Sequence, residues 1–345
     1  MGKEYKLNRS MKAFIKVYSA ISERDADKIT PEYIDSINNS SLLNNKFTKK
    51  LITKMTKTIT KTTYVVPVEK GRITVDYFSS NKRNSDEDGL TPLIVFCHGG
   101  GWVYGNMEIY SLYCARLAEV TSSCVLLADY RLAPKYKFPT ALEDCFNTYL
   151  WALDGLKYWK IDPQRIFIAG DSAGGNIAAA LCQKIKDHKL LKPFGQILIY
   201  PITDCRLSTQ SFIENRESPT LTEKMMRLYV SYYQNNAIDI FSPEMSPLLA
   251  QDLSSLPSAL IISADYDPLR DDSALYHEAL KKAEVNSAYF NIKETVHGFI
   301  NYPKATGTNE TLSMIKQFVN GRECSKIENI NLKQLKVSTD NRNKK

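Results

Sequence analysis

A short glycine-rich stretch around Ser172 is the part of the sequence best suited to chemistry. Residues 170–175 read Gly-Asp-Ser-Ala-Gly-Gly, and they lie between an apolar run typical of a strand and an alanine-rich run typical of a helix. Small residues beside a serine permit a tight strand-to-helix turn that exposes its hydroxyl above a sheet. The pattern therefore predicts that Ser172 is a nucleophile. A phosphate-binding loop is excluded because Asn176 stands where such a loop carries lysine.

A second glycine run follows another predicted strand. His98 is followed by three glycines and Trp102, directly after the apolar run PLIVFC. Backbone N–H groups in such a run can approach a substrate closely and stabilise a developing oxyanion. We expect the amides of Gly99 and Gly100, with that of Ala173 after the nucleophile, to form an oxyanion hole. His98 is expected to brace this loop through hydrogen bonds.

A nucleophilic serine needs a base, and the chain has four histidines. His98 is assigned to the glycine loop, His188 lies at a predicted helix end, and His277 lies in the middle of a helix among polar neighbours. His297 follows a predicted strand, on a loop near the C-terminus. His297 is therefore the predicted base.

The acidic residue that orients the base should follow a later strand. After the apolar run ALIISA come four candidates, Asp265, Asp267, Asp271 and Asp272. Asp267 precedes a proline that can begin the next helix, which places it at the exit of the strand; Asp265 is the alternative. The other two fall in the first helical turn, where the helix dipole favours acidic surface groups. The resulting order of serine, aspartate and histidine is that of α/β hydrolases.

Strands and helices alternate between these motifs. The predicted strands are 64–68, 73–77, 93–97, 124–128, 166–169, 196–200, 259–263 and 288–292. The predicted helices are 108–120, 140–153, 173–188, 222–235, 270–283 and 309–320. Most strands from the third onward are continuous apolar runs, which predicts a mostly parallel eight-stranded sheet with helices on both faces. The first two strands lack an intervening helix and are expected to form an antiparallel edge hairpin.

Two segments interrupt the alternation. Residues 1–60 are rich in lysine and carry helical apolar spacing, and residues 205–250 contain a predicted helix but no strand. We predict that both form a helical cap over a catalytic domain of residues 61–322; contact with a membrane surface is the alternative for the basic helices. Residues 323–345 are a predicted polar tail.

The apolar positions of the N-terminal helices are Phe14, Val17, Tyr18 and Ile21 in one and Leu43, Phe47 and Leu51 in the other. The candidate roof residues are Met225, Met226, Leu228 and Tyr229.

Composition excludes several classes of protein. The chain has 345 residues, 43% of them hydrophobic and 24% charged, which is typical of a globular protein and not of a disordered or fibrous one. The formal net charge of +7 comes from the two ends of the chain, so no nucleic-acid partner is expected. The longest uncharged stretch is broken by consecutive glycines and a proline, so no stable membrane insertion is expected.

The cysteines and the N-terminus predict a cytoplasmic protein. Seven cysteines are an odd number, no two form a C-x-x-C pair, and several lie in apolar runs. This pattern is typical of buried free thiols in a reducing compartment. The first residues contain no apolar segment of the kind found in secretory signals.

The motifs together resemble those of the hormone-sensitive-lipase-like carboxylesterases. The matching segments are HGGGW at 98–102, YRLAP at 130–134, FPTALED at 138–144, GDSAGG at 170–175, YP at 200–201, SPLLA at 246–250, DPLRDD at 267–272 and HGF at 297–299. They occur in the order found in that family, and the resemblance covers residues 60 to 320.

This resemblance implies an α/β-hydrolase fold with a helical cap and an esterase for short to medium acyl chains. It implies Ser172, Asp267 and His297 as a catalytic triad, with Gly99, Gly100 and Ala173 as the oxyanion hole. The sequence has neither an H-E-x-x-H motif nor a dinucleotide fingerprint, so no metal and no cofactor is expected. The expected partner is a small-molecule ester. The sequence leaves open whether the protein forms a homodimer.

Two alternatives remain. A deacetylase or arylamide amidase would use the same site, and the sequence does not separate it from an esterase. A ligand receptor without turnover is the other, since plant gibberellin receptors resemble this family. Those receptors lack the catalytic histidine, whereas His297 is present here, so the receptor is disfavoured.

Overall fold

An eight-stranded sheet forms the centre of the molecule in a computed structural model that describes residues 5–23, 25–40, 58–80, 89–105 and 107–329. The strands are β1 (Ile59–Val68), β2 (Gly71–Ser80), β3 (Thr91–Cys97), β4 (Cys124–Asp129), β5 (Ile161–Asp171), β6 (Gly195–Ile199), β7 (Ser258–Tyr266) and β8 (Ser287–Val296). Their order in the sheet is β1-β2-β4-β3-β5-β6-β7-β8. The β1–β2 and β2–β4 pairs are antiparallel and the other pairs are parallel. The predicted sheet, including its edge hairpin, is confirmed.

Helices cover both faces of the sheet. They are α1 (Arg9–Ile21), α2 (Pro31–Asn38), α3 (Met107–Thr121), α4 (Thr140–Trp159), α5 (Ala173–Asp187), α6 (Gln210–Glu214), α7 (Glu223–Tyr233), α8 (Arg270–Lys282) and α9 (Thr308–Val319). Side chains of α4, α5 and α8 belong to one apolar core, and those of α3 and α9 belong to the other.

The central strand β3 shows why its sequence is a continuous apolar run. All seven of its residues are buried. Leu93, Val95 and Cys97 belong to the core that contains α4, α5 and α8, whereas Ile94 and Phe96 belong to the core that contains α3 and α9. Successive side chains of a strand point to opposite faces, so burial of both faces requires an apolar residue at every position.

The N-terminal region agrees only in part with its prediction. Helix α1 begins after Asn8, whose side-chain oxygen accepts a hydrogen bond from the Met11 amide at 3.0 Å. Met11 and Phe14 are buried, but Val17 is 47% exposed. Its assignment to the apolar face was therefore wrong, because the buried face of α1 runs through Met11 and Phe14 instead. The helix predicted around Leu43, Phe47 and Leu51 lies outside the described residues.

The later segments also differ in detail from prediction. The helix expected over 222–235 is present as α7, and the insertion also contains the short α6. The polar tail was expected to start at residue 323, yet Cys324 and Ile327 are buried in the core; residues 330–345 lie outside the described part. All seven cysteines are buried and unpaired. Among the described helices, none combines the length and apolarity that crossing a membrane requires.

A buried carboxylate joins α8 to the loop after β6. Asp272 is 3% exposed, and its Oδ1 accepts hydrogen bonds from the amides of Thr203 and Asp204, each at 2.9 Å. Burial raises the pKa of Asp272 from 3.8 to about 8. The folded protein therefore holds this proton more tightly than the unfolded chain does. Stability from this group is present below about pH 4 and is lost as the pH rises toward 8.

Asp272→Asn should therefore flatten the pH dependence of stability. The amide oxygen can still accept both backbone N–H bonds, but the variant carries no charge to bury. We expect the difference in Tm between Asp272→Asn and the parent to move in favour of the variant between pH 5 and pH 8.5, as measured by thermal unfolding. Asp154→Asn, on the exposed side of α4, is the control for loss of one carboxylate. A constant difference in Tm across this range would contradict the prediction.

Candidate active site

Ser172 lies on a sharp turn between β5 and α5. Its backbone has φ 55° and ψ −122°, a conformation that L-residues rarely adopt. A Cβ atom at Gly170 would lie 2.2 Å from the Gly174 carbonyl oxygen, and one at Gly174 would lie 2.1 Å from the Cys97 carbonyl oxygen. Both positions therefore require glycine, as the sequence pattern predicted for this turn.

Ser172, His297 and Asp267 form a continuous hydrogen-bonded chain. The Oγ of Ser172 lies 2.8 Å from Nε2 of His297, and Nδ1 of His297 lies 2.7 Å from Oδ2 of Asp267. Asp267 is fully buried, and the other two are less than a tenth exposed. The three residues come directly after β5, β8 and β7, so the parallel strands bring residues far apart in the chain to one edge of the sheet. This is the geometry of a Ser-His-Asp triad.

The other candidate acids point elsewhere. Asp267 contacts His297 and accepts a second hydrogen bond, from the Leu269 amide, on Oδ1 at 2.9 Å. Asp265 instead accepts hydrogen bonds from side chains and one amide of β8. Asp271 pairs with the neighbouring arginine, and Asp272 bonds the loop after β6. The structure thus brings Asp267, and not its alternative Asp265, to the histidine.

The other histidines occupy positions where they cannot serve Ser172. His98 is fully buried in the glycine loop, and burial lowers its pKa to about 4. His188 lies beside Phe146 at the end of α5. Nδ1 of His277 lies 2.8 Å from the hydroxyl of Ser287.

The glycine loop differs from its prediction at one position. The amide of Gly99 donates a hydrogen bond to Oδ1 of Asp171 at 2.8 Å, so it is not available to an oxyanion. Gly100, Gly101 and Ala173 line the cavity beside Ser172. We therefore replace Gly99 by Gly101 in the candidate oxyanion hole and retain Gly100 and Ala173. The run of glycines indicated the loop, but the spacing alone could not show which N–H groups are already bonded.

Three residues of the insertion bond the segments that carry Asp267 and His297, and the sequence pattern did not indicate them. Thr220 donates its hydroxyl to the carbonyl oxygen of His297 at 2.9 Å. Asn215 donates its side-chain amide to the carbonyl oxygen of Asp267 at 3.1 Å, and Ser218 donates to that of Tyr266 at 2.6 Å. The sequence could not indicate this role for Asn215, Ser218 and Thr220, because their hydrogen-bond partners are distant in the chain.

A cavity of about 700 Å³ lies over Ser172 and His297. Tyr18 of α1 and Tyr33 of α2 line one side of it. Of the four candidate roof residues, Met226 and Tyr229 line the cavity, whereas Met225 and Leu228 are not among its lining residues. The N-terminal helices and the insertion thus both contribute walls.

Comparison with known proteins places this chain in a family. A family model described as an alpha/beta hydrolase fold matches residues 94–301, more than half of the chain. An arylesterase of Saccharolobus solfataricus is 34% identical over 242 residues, which cover 70% of this chain and 77% of that protein. The esterase LipI of Mycobacterium tuberculosis is 36% identical over 237 residues, covering 67% of this chain and 74% of that protein.

Solved structures agree with the sequence comparisons. An esterase of Pyrobaculum calidifontis superposes with a TM-score of 0.76 at 29% identity, covering 93% of this chain and all of that chain. The protein belongs to the α/β-hydrolase fold family, within its hormone-sensitive-lipase-like branch.

Asp267→Asn should impair turnover far more than Asp265→Asn. The amide would remove the charge that fixes the tautomer of His297, a change that costs about 10⁴-fold in kcat for a Ser-His-Asp triad. Asp265 contacts β8 and not the imidazole, so we expect its variant to retain kcat within about threefold. The measurement is ester turnover per mole of folded protein, with folding checked by circular dichroism. A reversed order of the two variants would contradict the assignment of Asp267.

Proposed function

We propose that this protein is a serine carboxylesterase that hydrolyses short- to medium-chain acyl esters through an acyl-enzyme on Ser172. The observation that carries the proposal is the chain of hydrogen bonds from Ser172 through His297 to Asp267, in which Ser172 and His297 line the cavity. The relatives named as esterases, at 34% and 36% identity, support carboxylic-ester hydrolysis as the reaction.

The proposed reaction begins with attack of Ser172 Oγ on the acyl carbon. Its proton passes to Nε2 of His297, while Asp267 holds the imidazole in the tautomer with hydrogen on Nδ1. The oxyanion accepts hydrogen bonds from the amides of Gly100 and Ala173, together with that of Gly101. His297 then protonates the leaving alcohol. Water attacks the acyl-enzyme by the same route and releases the acid.

The walls of the cavity support a limit on substrate size. We propose that α1, α2 and the 205–250 insertion together act as a cap. A cavity of about 700 Å³ has the volume of an ordinary small-ligand site, and it accommodates a short acyl chain with its alcohol. We propose that Tyr18 and Tyr33, which line this cavity, limit the room for a sixteen-carbon chain.

Neither alternative is favoured over this proposal. An arylamide amidase would use the same three side chains, but no contact among the described residues of the site favours an amine over an alcohol as the leaving group. A receptor without turnover has no need of a base bonded to a serine, whereas His297 lies 2.8 Å from Ser172 Oγ. Ester hydrolysis therefore remains the function that the geometry supports best.

The location that we propose is the cytoplasm. The seven buried cysteines, none of them in a disulfide, support a reducing compartment. The proposed partner is a small-molecule ester.

Ser172→Ala tests the function directly. We expect loss of ester turnover by about 10⁴- to 10⁶-fold, because the nucleophile is absent, with unchanged circular dichroism and Tm. Ser254→Ala, an exposed serine in the loop before β7, is the matched control. A pure Ser172→Ala protein that stays within about tenfold of the parent would overturn the assignment, and an organophosphonate should label the parent but not the variant.

Acyl-chain length tests the cap. On p-nitrophenyl esters of two to sixteen carbons, we expect best turnover at about two to six carbons, because the walls close an ordinary ligand volume. Tyr18→Ala removes one ring from the wall and should shift the optimum to longer chains. Val17→Ala, on the exposed side of the same helix, should leave the profile unchanged. Equal profiles for the parent and Tyr18→Ala would show that α1 does not limit the substrate.

A further inference from the structure

Asp171, the residue before Ser172, is a buried carboxylate that the proposed reaction does not use. Its side chain is 1% exposed, and three donors converge on it. The amide of Gly99 bonds Oδ1 at 2.8 Å, and the hydroxyls of Tyr110 and Tyr200 bond Oδ2 at 3.0 and 3.3 Å. Burial of a carboxylate is costly unless such bonds compensate for lost hydration. The three bonds are therefore what keeps an acidic group at this place.

The donors come from separate parts of the fold. Gly99 belongs to the glycine loop after β3, Tyr110 to α3, and Tyr200 to the segment after β6, while Asp171 ends β5. Contact with the glycine loop is close, because a Cβ atom on Gly99 would lie 2.7 Å from Asp171 Oδ2. Asp171 thus joins the turn that carries the nucleophile to the loop that carries the candidate oxyanion donors.

Two hydrogen bonds hold the peptide group between His98 and Gly99, one at its N–H and one at its carbonyl oxygen. The N–H of that group bonds Asp171, and its carbonyl, which belongs to His98, accepts a hydrogen bond from the Tyr130 hydroxyl at 2.7 Å. A peptide group is planar, so bonds at opposite edges define its orientation.

A further hydrogen bond orients the next peptide group, between Gly99 and Gly100. The Gly99 carbonyl lies 2.8 Å from Nδ1 of His98, and because a carbonyl can only accept, this nitrogen carries the proton. In a trans peptide the N–H points away from the carbonyl. The amide of Gly100 is therefore directed away from His98, and Gly100 lines the cavity beside Ser172.

We propose that Asp171 is a positioning residue for the oxyanion hole, which holds the glycine loop so that the Gly100 amide meets the oxyanion formed at Ser172. The proposal rests on the ester hydrolysis proposed above. Oxyanion donors act where charge develops in the transition state. Loss of Asp171 should therefore reduce kcat and leave ground-state binding of the ester largely unchanged.

Two substitutions separate positioning from simple stability. Asp171→Ala removes the acceptor of the Gly99 amide, whereas Asp171→Asn retains an acceptor oxygen at the same reach. Asp171→Ser, whose hydroxyl is too short to reach Gly99, replaces the alanine variant if that variant does not fold. Asp76→Ala is the matched control, since Asp76 is a buried carboxylate of β2, 6% exposed, bonded to Lys61 and Thr63.

The test measures kcat and KM on p-nitrophenyl butyrate, per site titrated by phosphonate, and the affinity for a trifluoromethyl ketone that mimics the tetrahedral intermediate. Displacement of reacting groups by about 1 Å costs about 10²-fold, so we expect Asp171→Ala to lose about that factor in kcat and in analogue affinity. KM should stay within about threefold. Asp171→Asn should recover most of the loss, and Asp76→Ala should lose Tm but not kcat per site.

Hydrogen exchange of residues 95–105 gives a readout that does not depend on turnover. Exchange in this loop should be faster in Asp171→Ala than in the parent, and restored in Asp171→Asn. The proposal is overturned if the alanine and asparagine variants lose kcat equally, if kcat of the alanine variant stays within about threefold of the parent, or if loop exchange is unchanged. A parent protein without esterase activity would overturn the proposed function instead, and loop exchange would still report on positioning.

Discussion

The backbone conformation at Ser172 is the constraint to which the rest of the site is fitted. Its positive φ costs on the order of 1–3 kcal/mol for a residue with a side chain. Surrounding contacts accompany it: the Ser172 amide donates to the Ile199 carbonyl at 2.9 Å, and the backbone packs so closely at Gly170 and Gly174 that a Cβ atom at either would overlap a carbonyl oxygen. This conformation places the hydroxyl at the carboxyl ends of the parallel strands, where Asp267 after β7 and His297 after β8 are the proposed acid and base.

Three buried aspartates join separate segments of this fold. Asp267, Asp171 and Asp272 are each at most 3% exposed, and each accepts at least one backbone N–H bond in addition to its other contacts. In a medium of low dielectric constant such bonds are strong, and loss of one partner is expensive. Asp267 and Asp171 therefore join the proposed base and the glycine loop to the ends of β7 and β5, and Asp272 joins the loop after β6 to α8.

The insertion after β6 has two roles in this arrangement. Its residues Asn215, Ser218 and Thr220 bond main-chain carbonyls of the loops that carry Asp267 and His297. Its helix α7 packs against the glycine loop, where Tyr233 stacks on Trp102 with ring centroids 4.5 Å apart. The segment that walls the cavity thus also supports the groups beneath it, so a change in the wall would also be felt by the groups that react.

Local patterns in the sequence determined the sheet, its helices and the candidate nucleophile. The glycines around Ser172 indicate a tight turn, and a continuous apolar run such as β3 indicates a strand buried on both faces. Both features can be recognised from residue type and spacing alone. Tertiary structure separated Asp267, which the sequence favoured, from its alternative Asp265, and it alone decided which glycine amides remain open to an oxyanion. Tertiary structure also decided that Val17 faces solvent. Each of these outcomes depends on contacts with residues that are distant in the sequence. The Gly99 amide is bonded to a residue 72 positions away, and no spacing within the glycine run records that contact.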